Sequence, residues 1–258
     1  MLLTKLSKHR VWFILLSAVI ALALWQGAVL LWRFPAFILP GPALVAARFI
    51  KAVADGSLTR HLLITLVEVL AGLIIGAGFA TLTGYLLAKS PAAERFLSPY
   101  LVASQAVPLV AVAPLLIIWF GPGLYSKILI CSLIVFFPVL INTIVGVRAV
   151  PENLRELMRS LRASPGQILR LLEIPAALPV FLGGLRVGAT LSVIGAVVGE
   201  FVGSDRGLGF LINVGRGQYD TALVFAAIFT LIFLALTLYY AVLLVEKRAL
   251  QWNRRAEF

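Results

Sequence analysis

Two carboxylates, Glu68 and Glu200, stand inside runs of residues otherwise too apolar to hold a charge. Burying an acid at the centre of a bilayer costs about 2.5–3.5 kcal/mol on insertion scales, so such residues mark solute paths, proton relays or structural ties. Glu68 is a candidate for contact with a solute. Glu200, a few residues from the end of its run, is read either as a path residue or as a structural carboxylate paired with Arg206. Ser104, Gln105 and Asn142 are the other polar candidates for a path, and each is also able to make an interhelical hydrogen bond. Trp119 and Phe120 suit the aromatic belt at a membrane surface better than an aromatic clamp. No set of these groups points to covalent chemistry. His9 and His61 lie at the ends of apolar runs without a convincing partner. The single cysteine, Cys131, sits between Ile130 and Ser132 and reads as a buried inert thiol, which excludes a multi-cysteine metal site. Gly121-Pro-Gly-Leu-Tyr-Ser-Lys127 lacks the second glycine before its lysine and is not a phosphate loop. The expectation is a chain with no catalytic residues, no metal and no cofactor of its own.

The elements that position these residues follow from composition. The chain has 258 residues, 61% hydrophobic and 13% charged, with mean hydropathy +1.03, whereas soluble domains carry roughly 25% charged residues. Six apolar segments, at about 11–32, 62–88, 97–120, 127–147, 180–203 and 222–245, are long enough to cross a hydrocarbon core of about 30 Å. The class is therefore all-α, a polytopic membrane protein with six transmembrane helices. The first segment follows Lys5, Lys8 and Arg10 as a signal peptide would, but its length and the lack of a small-residue cleavage site favour an uncleaved span.

With the N-terminus inside, the inner segments hold 14 Lys/Arg and the outer ones 7. That bias predicts cytoplasmic termini in a multi-pass protein of the plasma (inner) membrane. It also explains the net charge of +11 without nucleic acid as a partner; the lipid bilayer is the partner implied. Residues 34–58 read as Pro-punctuated chain followed by a short surface helix, and 203–222, with five glycines, as an irregular or re-entrant segment. No tandem repeat is present, and 1–258 reads as one domain.

Between the fourth and fifth segments, 148–179 is polar yet patterned. Leu154, Leu157, Met158 and Leu161 share one helical face, while Arg155, Arg159 and Arg162 share another. Pro151 opens that helix. Ser164-Pro-Gly-Gln167 has the form of a capping box; Ile168, Leu169, Leu171 and Leu172 give a second apolar side, and Pro175 is expected to end it. Two short helices joined near Arg162-Ala163 result, each too short to span. A docking surface for another protein and a helix resting on anionic lipid are both compatible with that pattern.

This stretch resembles the cytoplasmic loop of ABC importer permeases, which reads Glu-Ala-Ala, three residues, Gly, nine residues, then Ile-x-Leu-Pro. Glu156 starts it, Leu157 and Met158 stand at the alanines, Arg162 at the glycine, and Leu172-Glu-Ile-Pro175 closes it in register. "LPGP" (39–42), "SQAVPLVAVAPLLIIWFGPG" (104–123), "FFPVLINTIVGVRAV" (136–150), "GGLRVGATLSVIGAVVGE" (183–200) and "GLGFLI" (207–212) extend the resemblance toward the branch serving nitrate, sulfonates, taurine and pyrimidine-type vitamin precursors. It implies a type I importer permease fold with 148–179 as the coupling-helix hairpin. ATPase docking would then run through Glu156, Leu157, Met158, Arg159, Arg162, Ala163 and Ser164, with Ile174 and Pro175 closing the loop.

The resemblance further implies two ABC ATPase subunits carrying ATP and Mg, an extracytoplasmic solute-binding protein and a second permease copy, a homodimer. The glycine at the Arg162 position would accept a left-handed conformation cheaply and arginine would not, so the turn geometry is open. Gly195, Gly199 and Gly203 recur every four residues, as do Gly184, Gly188, Ser192 and Ala196, a spacing that lets helices pack closely. The family counterpart of Glu68 is more often basic, which argues against an anionic solute. Within the branch, "SQAVP" and "GAVVGEF" look most like permeases for heteroaromatic vitamin precursors of the thiamine pyrimidine or flavin type; nitrate, sulfonate or taurine is the alternative. A self-contained secondary transporter or channel is the rival class, and an intramembrane enzyme is disfavoured by the missing catalytic pair.

Overall fold

The computed structural model describes residues 8–251; Lys5 and the Arg254-Arg255 pair, which enter the charge bias, lie outside them. Among the described residues every regular element is helical. Five helices are long and apolar enough to cross a membrane: α1 (Lys8–Trp32), α3 (Ser57–Lys89), α6 (Leu124–Arg148), the run Pro165–Gly203 and α11 (Thr221–Ala249). A short α2 (Pro42–Ala54) precedes α3.

The segment expected as one span at 97–120 is broken. α4 (Pro91–Ala106) and α5 (Leu109–Phe120) meet at 92°. Pro108 has no N–H to donate and pushes Val107 into extended backbone (φ −76°, ψ 120°), which stops α4. Taken together, the pair makes a sixth candidate span.

The end of the hairpin also departs from expectation. α7 (Glu152–Ser160) is the first short helix, as the leucine spacing predicts. The second does not stop at Pro175. α8 (Pro165–Ile168) passes through a π turn (Leu169–Glu173) directly into α9 (Ile174–Gly203). A proline inside an α-helix presses on the carbonyl four residues back and lacks the N–H that would bond it. The wider turn, in which the Ile174 N–H donates to the Leu169 carbonyl, absorbs this just before Pro175. The second helix of the hairpin and the apolar helix that follows it are therefore one continuous helical run, Pro165–Gly203.

The chain forms two compact units. One comprises residues up to Arg60 with Leu211–Phe229, and holds most of a short α10 (Leu208–Gly217) and the start of α11. There the Trp25 indole donates to the Pro40 carbonyl at 3.1 Å and stacks on Phe225 at 5.2 Å, while Arg48 pairs with Asp220 at 2.7 Å. The other comprises His61–Phe210 with Thr230 onward. Its core joins Val69, Leu73 and Ala77 of α3 to Val135 and Val139 of α6, Ala189 and Val193 of α9, and Leu234 of α11.

Small residues set the spacing in that core. A side chain at Gly195 would place its Cβ 2.9 Å from the Cα of Cys131, and one at Gly199 3.1 Å from Cγ of Lys127. Gly188 faces Val135, Gly184 faces Asn142 and Gly203 faces Ile117. α9 thus lies backbone to backbone on α6, the arrangement that small residues at every fourth position permit. A second such row, Gly72, Gly76 and Gly84 of α3, meets a neighbouring face of α6, and both rows close on Cys131. That spacing is equally visible in the sequence and went unread there.

Candidate functional site

At the hairpin end, α7 is closed by a turn that answers the question posed by Arg162. Its φ is +56°, the left-handed conformation a glycine would take. The Ala163 N–H donates to the Met158 carbonyl at 3.0 Å and the Arg162 N–H to that of Arg159 at 2.9 Å, the paired bonds of a Schellman cap. Arginine keeps the geometry of the motif and bears its strain. Arg162→Gly will therefore raise the unfolding free energy by roughly 0.5–1 kcal/mol, because left-handed non-glycine backbone costs about 1–3 kcal/mol and glycine's greater chain entropy returns part of it. A thermal melt of the purified chain checks the sign.

The next turn is a complete capping box. The Gln167 amide donates to Ser164 Oγ at 3.3 Å, and the Ser164 amide to Gln167 Oε1 at 2.7 Å. Capped on both sides of its turn, the hairpin still leaves its apolar face uncovered within the chain: Leu154, Leu157 and Leu161 are 40%, 54% and 69% exposed. Glu156, Arg159, Arg162 and Ser164 are exposed beside them, while Met158 and Ala163 are half-buried. Ile174 is exposed and Pro175 half-buried at the start of α9.

The hairpin is anchored by an acid that sequence reasoning passed over. Glu173, in the π turn, is buried and accepts from Lys89 at the end of α3, from the Tyr85 hydroxyl at 3.3 Å, and lies 3.5 Å from Nε of Arg155 on α7. Arg155 also donates to the Val147 carbonyl at the end of α6, at 2.7 Å, and to Glu152 at 3.2 Å. One carboxylate thus ties together α3, α7 and the root of α9. A lone acid in Leu-Leu-Glu-Ile-Pro was the available signal; its partners, 84 and 18 residues away in sequence, were not.

At the opposite end, Glu200 is buried and its expected partner is wrong. Arg206 pairs with Asp205 at 3.3 Å. Gly207, at φ +99°, turns the chain back so that three successive amides at the start of α10 find acceptors. Gly207 N–H donates to His61 Nδ1 at 3.0 Å, Leu208 N–H to Thr65 Oγ1 at 2.8 Å, and Gly209 N–H to Glu200. The Thr65 hydroxyl in turn donates to Glu200 at 2.6 Å. A carboxylate at the positive end of a helix is favourably placed, and His61 acquires the partner that its position in the sequence did not suggest. Glu200 is thereby held by donors from both α3 and α10.

Glu68 is different. It is fully buried on α3, with Lys127 of α6 3.6 Å away. Lys127, at the edge of the 127–147 apolar run, is only 4% exposed, lies inside α6, and donates to Ser204 Oγ at 2.5 Å. Of the other path candidates, Asn142 donates to the Pro138 carbonyl of its own helix at 2.8 Å and packs on Gly184. Ser104 donates to the Leu101 carbonyl at 2.9 Å, and with Gln105 it lies exposed at the end of α4, beside the bend. The structure brings Glu68 and Glu200 together and leaves Ser104, Gln105 and Asn142 elsewhere. No cluster of three or more metal-ligating side chains forms among the described residues.

Comparison with known proteins agrees with this architecture. A family model described as binding-protein-dependent transport system inner membrane component matches residues 72–251. The chain is 48% identical to the riboflavin transport system permease protein RibX of Chloroflexus aurantiacus, over 92% of this chain and 88% of that one. It is 34% identical to the formylaminopyrimidine transport permease protein ThiX of Halalkalibacterium halodurans (85% and 87%), and 31% identical to the taurine transport system permease protein TauC of Escherichia coli (92% and 87%). In fold it resembles a chain of the MetNI methionine ABC transporter in an inward facing conformation, with TM-score 0.65 at 20% identity, over 74% of this chain and 95% of that one. With most of the described core inside the matched region, the chain belongs to the family of binding-protein-dependent transport system inner membrane components.

Proposed function

We propose that this chain is the permease subunit through which an ABC importer moves a neutral heteroaromatic vitamin precursor, of the flavin or thiamine-pyrimidine type, across the plasma membrane. It does no covalent chemistry and binds no cofactor. Two copies form a homodimer with the termini in the cytoplasm. Each copy seats its 152–175 hairpin on one of two ATPase subunits that carry ATP and Mg, and a binding protein delivers the solute from the other side.

The observation that supports this most is the exposed leucine face of α7, set beside a turn capped on both sides and tied by Glu173 into α3 and α9. A face of three leucines beside Glu156, Arg159 and Arg162 suits a protein cleft with a mixed surface. Motion of that cleft would reach the spans through a continuous helix. The 48% identity to a riboflavin permease and the buried acid Glu68 favour the neutral heteroaromatic class over sulfonates.

The docking part is tested with the whole chain. Leu157→Asp will reduce retention of the cognate ATPase in co-purification about tenfold or more, the range of a hot-spot residue at an interface, while membrane insertion is unchanged. Glu156→Ala will weaken retention less. Undiminished ATPase retention, with loss of liposome binding instead, would assign the hairpin to lipid.

A further inference from the structure

Two cavities adjoin at the joint where α3, α7 and α9 meet, and Tyr85 and Glu173 line both. The larger, of about 780 Å³, is a groove between α3, the end of α6 and α9. On α3 it runs from Leu73 to Tyr85, and on the other wall from the π turn at Glu173 to Leu185. Either wall is about 18 Å long at the helical rise, close to one leaflet of a hydrocarbon core of about 30 Å. Along that length the groove is apolar. The hydroxyls of Thr81 and Thr143 donate to the Ala77 and Val139 carbonyls of their own helices, at 2.6 and 2.7 Å. Ile74 and Leu82, 70% and 61% exposed, flank its open side, and a Cβ at Gly78 between them would meet nothing within 4 Å. The smaller cavity, of about 320 Å³, is basic: Lys89, Arg155 and Arg159 line it beside Glu173. Arg155 is engaged by Val147 and Glu152. Lys89 has three N–H donors and Arg159 five, of which one each meets Glu173 and Glu152, and their side chains are 41% and 64% exposed. Three cations thus face two carboxylates, with donors left over.

We propose that the paired cavities hold one anionic phospholipid, an acyl chain lying along the groove and the headgroup phosphate between Lys89 and Arg159. Basic pockets where transmembrane helices reach the membrane surface suit anionic headgroups. A polar solute in transit would find no free donor or acceptor along the groove, whereas an acyl chain needs none. A second copy of the chain would cover the apolar wall and leave the positive charge at its end without an anion. Glu173 does not repel the phosphate, because it is buried beneath Lys89 and Tyr85 and its charge is met there. The lipid would sit on the joint that ties the hairpin to α3. Its binding does not depend on the solute, and the orientation proposed above decides only which leaflet supplies it.

The probe is dioleoyl phosphatidylglycerol, titrated into the delipidated permease–ATPase complex in detergent and counted by native mass spectrometry. Dioleoyl phosphatidylcholine and inorganic phosphate are run alongside. Wild type will bind phosphatidylglycerol saturably, about tenfold or more tighter than phosphatidylcholine, the effect of two basic side chains at an anionic headgroup. Inorganic phosphate at the same concentration will not displace it. Gly78→Phe places a ring in the groove where no atom stands in its way. It will weaken phosphatidylglycerol about tenfold or more, as the loss of a few buried methylenes would, with the detergent melt unchanged. Equal affinity of wild type for the two lipids, a measurement that needs no variant to fold, overturns the site. Displacement by inorganic phosphate overturns it too and marks a simple anion pocket. Undiminished binding in Gly78→Phe shows that no acyl chain uses the groove, which also overturns it. Separation of the permease pair in Gly78→Phe assigns the groove to the second copy and has the same consequence.

Discussion

Glu173→Ala will cut ATP-driven uptake at least tenfold while the chain still inserts and still retains its ATPase. The reason is mechanical. Glu173 meets Lys89 and Tyr85 of α3, Arg155 of α7 and, through its own backbone, the π turn at the root of α9. Removing it separates the hairpin from α3 without touching the exposed face of α7. Breaking a buried ion pair by deleting one partner costs about 3–5 kcal/mol. Lys89 is 41% exposed and rehydrates when released, which places the stability loss at the lower end of that range. Arg155 keeps its bonds to Val147 and Glu152, so α7 survives. The decisive readout is the ratio of ATP hydrolysed to solute moved. It will rise sharply in Glu173→Ala and partly recover in Glu173→Asp, which restores the charge one methylene short. An unchanged ratio would show that the carboxylate only stabilises the fold.

The second large effect is in the core. Gly76→Val will destabilise the chain by about 3 kcal/mol or more, and Gly78→Val, two residues along the same helix, will be near neutral. A Cβ at Gly76 would lie 2.9 Å from the Cα of Ser132 and closer still to its carbonyl oxygen, so α3 and α6 would have to separate. Overpacking against yielding side chains costs about 1–3 kcal/mol; here the obstacle is backbone. At Gly78 nothing lies within 4 Å of the added atom. The same helix, the same substitution and the same propensity change thus isolate interhelical contact, and detergent melts of the two variants read the difference. Equal losses would mean that helix propensity, not packing, sets the cost.

The pattern of apolar runs made the helices legible, and the leucine and arginine spacing of 151–162 located α7. Ser164 and Gln167 announced their capping box because the signal is local: two side chains three residues apart satisfying two amides. Arg162 could not be read the same way, since its left-handed backbone is imposed by the turn against its own preference. Two prolines misled in opposite directions. Pro108 broke a segment that looked continuous, because nothing before it relieves the bend. Pro175 left intact a helix it was expected to end, because a π turn precedes it. The polar residues were harder. Ionic partners such as Lys89 with Glu173 and Lys127 with Glu68 join helices far apart in the chain, and sequence order carries no trace of such pairings. Lys127 stands at the edge of an apolar run, where only the packing of α6 decides that its ammonium is buried.

The most direct measurement is solute uptake into proteoliposomes holding this chain, with the ATPase, the binding protein and ATP each supplied or withheld. Riboflavin accumulation is expected only when all are present, and it should disappear with Leu157→Asp. Accumulation by the chain alone, without ATP or the ATPase, would contradict the importer reading and mark a self-contained transporter.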